Sequence, residues 1–166
     1  MDHVAIMKKS WGLIPKILTG EKKIESRWYQ HKRAPWDKIK AGDTVFFKNS
    51  GEPVKIKAKV YKVLQFSDLN PVKAKEILEK YGKDIGIAEN QPYTHSKIPE
   101  RRVEGREWVG MADFLKKKYC LLIFLKNPVK IKSFQIDKSG FGSMSAWISV
   151  KNINKIKKYE RRLSFI

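Results

Sequence analysis

TGEKKIESRW, residues 19–28, sets one carboxylate, Glu25, among Lys22, Lys23 and Arg27. In an extended strand, side chains two apart share a face. Lys23, Glu25 and Arg27 then point one way, and Ile24, Ser26 and Trp28 point the other. Alternation alone leaves two readings of the charged face: a solvated ladder of ion pairs, or the floor of a pocket. The flanking sequence has to decide between them.

On the N-terminal side, HVAIM reads as a first strand with Val4 and Ile6 on one face. Ser10 is positioned to cap a short helix carrying Ile14, Ile17 and Leu18, which Gly20 ends. On the C-terminal side, the irregular YQHKRAPWDKIKAGD precedes two strands, TVFFK and VKIKAKVYKVLQF, joined by an NSGEP turn. The second alternates: Val54, Ile56, Ala58 and Val60 on one face, Lys55, Lys57 and Lys59 on the other. NPVKAKEILEKYG then has helical spacing at Val72, Ile77, Leu78 and Tyr81 and ends on Gly82. Residues 83–105 are polar and aperiodic, and a second helix is expected from Arg106 to Lys117. Strand signals return in KKYCLLIFL and PVKIKSFQI. SGFGSMSAWISV reads as a glycine turn and a last strand, and the tail NINKIKKYERRL as a helix with Ile153, Ile156, Tyr159 and Leu163 on one face. Strands, helices and strands again indicate an α+β domain built on a small curved sheet or barrel.

The chain has 166 residues, enough for one domain with a real core. Its 36 Lys and Arg against 17 Asp and Glu give a net charge of +19, a field that favours polyanions, nucleic acid above all. A lysine-rich surface serving solubility is the plainer reading of the same charge. The single cysteine, Cys120, excludes an internal disulfide and a cysteine-based zinc site. It lies in an apolar run and is expected to be a buried structural thiol. The N-terminus lacks a signal-peptide pattern and no segment is apolar for long enough to span a bilayer. A cytoplasmic protein without membrane association is therefore expected.

A strand, a short helix ending in T-G, the run G-E-K-K-I-E-S-R and the step A-G-D-T-V-F-F together resemble the ASCH domain. The signature G-x-K-x-x-E-x-R falls on Gly20, Lys22, Glu25 and Arg27, with Gly42 and Asp43 downstream. The resemblance is densest over residues 3–66 and extends over 119–150. It implies a PUA-like small β-barrel with flanking helices: one domain over 1–166, with a helical insert at about 70–117 and a basic tail at 151–166. The pocket is expected within 3–66. The resemblance also implies an RNA-related role, because PUA-like relatives recognise RNA or hold nucleobases in a pocket on the barrel. Small bacterial members are amidohydrolases acting on N4-acetylcytidine, and their catalytic lysine matches Lys22. The threonine of their motif matches Glu25 here, and their later glutamate has no aligned position; Glu76 and Glu79 are candidates only. Ribonuclease activity is a further property proposed for the family.

In such a pocket, Glu25 accepts from the amino and imino edge of a base, and Arg27 holds Glu25 or binds a phosphate. Lys22 is the residue to which any catalysis would be assigned, since a desolvated lysine beside cations loses its proton more readily. Trp28, His31, Lys32, Arg33 and Trp36 mix aromatic and basic groups in one loop, a composition suited to stacked bases and a tracked backbone. The plainer reading makes Trp28 and Trp36 core aromatics. Ser143 and Trp147, beside the Gly140–Gly142 turn, are candidates for the pocket border. Those two glycines lack the third that a dinucleotide fingerprint needs. His3, His31 and His95 stand in no ligand spacing, so neither metal nor cofactor is expected. The sequence thus points to binding of RNA or a modified nucleoside, with DNA left open. A metal-free hydrolase on the same scaffold or a basic partner-binding module is the alternative.

Overall fold

The computed structural model describes residues 1–86 and 116–158. Nearly all of the helix expected over 106–117 lies outside these residues. So do His95 and the tail positions Tyr159 and Leu163.

Strands β1 (Asp2–Met7), β2 (Ile24–Tyr29), β3 (Thr44–Asn49), β4 (Val54–Phe66), β5 (Tyr119–Ile136) and β6 (Trp147–Val150) form one sheet in the order β2-β5-β4-β3-β1-β6. A two-residue β7 (Lys157–Lys158) pairs with the end of β5. β1 and β3 run parallel, and the remaining neighbours are antiparallel. The sheet curls into a half-barrel. Its edge strands, β2 and β6, are not hydrogen-bonded neighbours, yet side chains join them across an open seam. Helices α1 (Leu13–Leu18) and α2 (Pro71–Ile85) flank the sheet.

Alternation along the strands sorts the core. Ala5, Met7, Val45, Phe47, Ile56, Ala58, Val60, Leu121 and Ile123 fill the concave interior, closed by α1 through Ile14 and Ile17. The opposite face of β2 and β5 packs Ile24, Leu122 and Phe124 against Ile77 and Ile85 of α2. A third cluster joins Val4, Ile6 and Ile148 to Ile153 and Ile156. Cys120 is buried within this framework, and burial pushes its thiol pKa up. Among the described residues no helix is long and apolar enough to cross a membrane.

Several boundaries differ from the sequence reading. α1 is capped by Gly12 in the left-handed region (φ 61°) rather than by Ser10, which sits in a 3-10 turn over Lys9–Trp11. β2 starts at Ile24 because the preceding amides bond elsewhere: Lys22 N–H donates to Lys16 O and Lys23 N–H to Asp84 O. α2 continues through Gly82 to a left-handed Gly86 cap, since Ile85 gains a buried seat that ending at Gly82 would forfeit. Val72, placed on the apolar face by spacing, is exposed. KKYCLLIFL and PVKIKSFQI are one strand, bulged where Asn127 takes φ 52° and Pro128 has no N–H to donate. The tail forms a 3-10 turn over Ile153–Lys155 and then β7 instead of a helix, so β6 is not the last strand.

The two glycines of α2 behave oppositely in this geometry. A Cβ on Gly82 would meet nothing within 4 Å, whereas Gly86 has φ +86° and its Cβ would sit 3.4 Å from Lys22 Cβ. Gly82→Ala is expected to stabilise the protein by about 0.5–1 kcal/mol, and Gly86→Ala to destabilise it by about 1–2 kcal/mol. Urea denaturation of the two variants checks both signs.

Candidate functional site

Glu25, Arg27 and Tyr29 pair directly with Ile123, Leu121 and Tyr119 of β5 and so share the interior face of the half-barrel. The charged face of the opening motif is therefore turned inward. Lys23 does not share it: its ammonium is exposed and lies 3.9 Å from Asp84. Lys22 takes that place from the bend before β2. Its Nζ donates to Ile24 O and Ile85 O, at 2.7 Å each, and stands 3.3 Å from Glu25 Oε2. Ile85 contributes one of the last carbonyls of α2, which the helix itself leaves unbonded, and a cation there also meets the negative end of the helix dipole. Burial pulls the lysine pKa below its ordinary value; Glu25 acts against that, and Arg27 and Lys16 add to it.

Glu25 is only 4% exposed, and its Oε1 lies 3.0 Å from Arg27 Nη2. From there Arg27 reaches across the seam. Its Nη1 donates to Ala146 O at 3.4 Å, and the guanidinium lies 5.0 Å from the centre of the Trp147 ring. Two cations thus flank one carboxylate in a largely enclosed row. Two buried atoms of the row, Glu25 Oε2 and Arg27 Nε, have no hydrogen-bond partner among the described residues. Lys22 is near enough to Oε2 for Coulomb attraction but is not aligned to bond it.

Trp147 carries the row onward. Its Nε1–H donates to His3 Nδ1 at 3.3 Å, and Ser149 Oγ lies 2.9 Å from the same nitrogen. An indole only donates, so Nδ1 is the acceptor and His3 Nε2–H faces Asp43 Oδ2, 3.1 Å away. Burial lowers the His3 pKa despite the neighbouring carboxylate. Burial alone would raise Asp43, but bonds from the amino terminus, the Lys40 N–H and His3 outweigh it and hold the carboxyl below its usual range. The result is a polar line from Lys22 to Asp43, contributed by β1, β2, β6 and the turns before β2 and β3.

The other residues singled out from sequence are scattered. Trp28 pairs with Cys120 on the face packed toward α2, so it cannot share a pocket with Glu25. Trp36 is buried in the interior cluster, edge-on to Tyr119 at 5.2 Å. Lys32 lies 5.8 Å from both of those rings, Arg33 lies 6.0 Å from Tyr29, and His31 is exposed. Ser143 is exposed, and its carbonyl accepts from Lys138. Only Trp147 of the distal candidates joins Lys22, Glu25 and Arg27, so the site extends beyond residues 3–66. His3, Asp43 and Ser149 were missed as a group. The alternation in HVAIM, which sets His3 on the face of Ala5, was the available signal.

A neutral His3 has a pH consequence. The unfolded chain takes up a proton near pH 6.5, whereas the folded state resists it. Stability should therefore fall as pH drops below about 6.5 and continue falling until the folded histidine protonates. Asp43, with a lowered pKa, adds a second loss at still lower pH. His3→Gln should flatten the dependence between pH 7 and 5 in denaturant titrations, leaving only the more acidic loss.

No protein-family profile and no curated protein sequence matches the chain. Solved structures do. The ASCH protein of Zymomonas mobilis superposes with a TM-score of 0.58 at 11% identity, covering 95% of this chain and 96% of that one. A single-residue variant of the same protein gives 0.59 at 12% identity, with 93% of each chain covered. At such low identity the likeness speaks to architecture alone: the chain has the fold of ASCH-domain proteins, a curved mixed sheet with flanking helices.

Proposed function

We propose that the protein binds RNA and reads a base, plain or modified, at the seam between β2 and β6. The observation carrying this reading is that two buried atoms of the row are unbonded, an acceptor, Glu25 Oε2, and a donor, Arg27 Nε. A base edge that presents an amino donor next to a ring-nitrogen or carbonyl acceptor complements such a pair. Lys22 and Arg27 supply the countercharge that lets a carboxylate occupy so enclosed a position. The charge of +19 draws in the polyanion to which the base belongs. The lone buried thiol suits a reducing cytoplasmic setting.

The hydrolase reading draws less support. Lys22 Nζ donates to two main-chain carbonyls and faces the Glu25 carboxylate, and an ammonium so engaged is a poor nucleophile.

Calorimetry with a panel of nucleosides, including N4-acetylcytidine, tests the proposal, alongside labelled single-stranded RNA and DNA at two salt concentrations. One nucleoside should bind selectively. Arg27→Lys keeps the cation but removes the Nε donor, so it should weaken that binding by about 1–3 kcal/mol. RNA binding at low salt should persist. Equal responses of every nucleoside to Arg27→Lys would overturn base reading at the seam.

A further inference from the structure

The outer face of the β4–β5 ribbon, on the other side of the sheet from the seam, carries cations opposite one another. Lys59 and Lys126 are direct cross-strand partners, and beyond the bulge Lys57 faces Val129. Like charges directly opposite on a sheet repel. No ion pair with an acidic group forms at Lys57, Lys59, Lys62 or Lys126 among the described residues. Lys59 is held by neutral oxygen instead, its Nζ donating to Thr44 Oγ1 at 2.7 Å, so its charge stays uncompensated.

At one end of this row an aromatic platform stands free. Tyr61 is 47% exposed, although its ring packs edge-on against Phe124 at 5.8 Å. Lys62 Nζ lies 5.2 Å from the centre of the same Phe124 ring. Tyr61 sits where the β4–β5 register shifts, between Val60 and Lys62. A bulge re-aims a side chain and releases it from strict alternation.

We propose that this ribbon is a second contact surface for single-stranded nucleic acid. Tyr61 stacks on an exposed base, and Lys57, Lys59, Lys62 and Lys126 follow the phosphates. Lysines two apart on β4 repeat at about 6.6 Å, so successive ammonium groups form a linear track along an extended strand. The polyanion also resolves the repulsion between Lys59 and Lys126, since each gains a counter-ion that the protein does not provide. The ligand class is that of the proposed function, but none of these residues belongs to the seam.

Filter binding of a labelled oligouridylate, with the matching DNA in parallel, tests the surface. Five variants are compared: the triple change Lys57→Gln, Lys62→Gln and Lys126→Gln; a control of equal charge, Lys73→Gln, Lys75→Gln and Lys155→Gln; and the single changes Tyr61→Ala, Tyr61→Phe and Lys126→Gln. The ribbon triple should lower affinity at least about tenfold and reduce the slope of log K against log salt by about 2, at about 0.7 per phosphate contact. The control should change either quantity far less. Tyr61→Ala should cost about tenfold, and Tyr61→Phe should restore the loss. Lys126→Gln alone should leave thermal stability unchanged or raised, which separates lost binding from lost folding. Equal losses from ribbon and control triples would overturn the surface, as would an unaffected Tyr61→Ala. Selective nucleoside binding that survives the ribbon triple keeps the two sites distinct. Ribbon-dependent binding without any nucleoside binding would remove the seam reading and leave this one standing.

Discussion

A lysine ammonium enclosed by protein needs acceptors for its hydrogens and a negative charge nearby. Lys22 has both. Its Nζ bonds carbonyls at the start of β2 and at the end of α2, and Glu25 provides the charge. The bend before β2 is fixed as well by main-chain bonds to α1, to α2 and to Leu125 of β5. Four elements therefore meet around one side chain. The left-handed Gly86 cap belongs to the same arrangement, since its Cα approaches the Lys22 stem closely enough that even a methyl group would touch it.

Arg27 does for the seam what Lys22 does for the helix. Main-chain bonding leaves β2 and β6 unpaired, so their approach rests on side chains. A guanidinium that bonds Ala146 and lies over Trp147 brings the two edges together without closing the sheet. Glu25 serves both cations at once, so each depends on the same carboxylate. Such economy leaves little redundancy. Removing one member of a buried charged group exposes the others to an unmatched desolvation cost, usually of about 3–5 kcal/mol.

Much of the fold was legible in sequence. The alternation of β4 set Ile56, Ala58 and Val60 inward, and the glycine signature marked the residues that form the buried row. Long-range constraints were not legible. The end of α2 is decided by Ile85 finding a buried seat, which spacing around Gly82 does not reveal. Lys22 rather than Lys23 faces Glu25 because the bend bonds to elements distant in the chain. Trp28 and Trp36 look like a recognition loop when adjacent in sequence, yet strand pairing and core packing send them to different faces. His3 and Asp43 are 40 positions apart and meet through the parallel pairing of β1 and β3, a contact no local pattern announces.

Hydrogen exchange on Glu25→Gln tests most directly whether one carboxylate holds both the helix end and the seam. The substitution keeps the shape of the side chain and removes its charge. The account requires faster exchange at the Lys23 and Gly86 amides, which secure the end of α2, together with faster exchange in β6. The β3–β4 amides, remote from the row, should keep most of their protection. Faster exchange confined to β2, with α2 and β6 protected as in the parent protein, would contradict it.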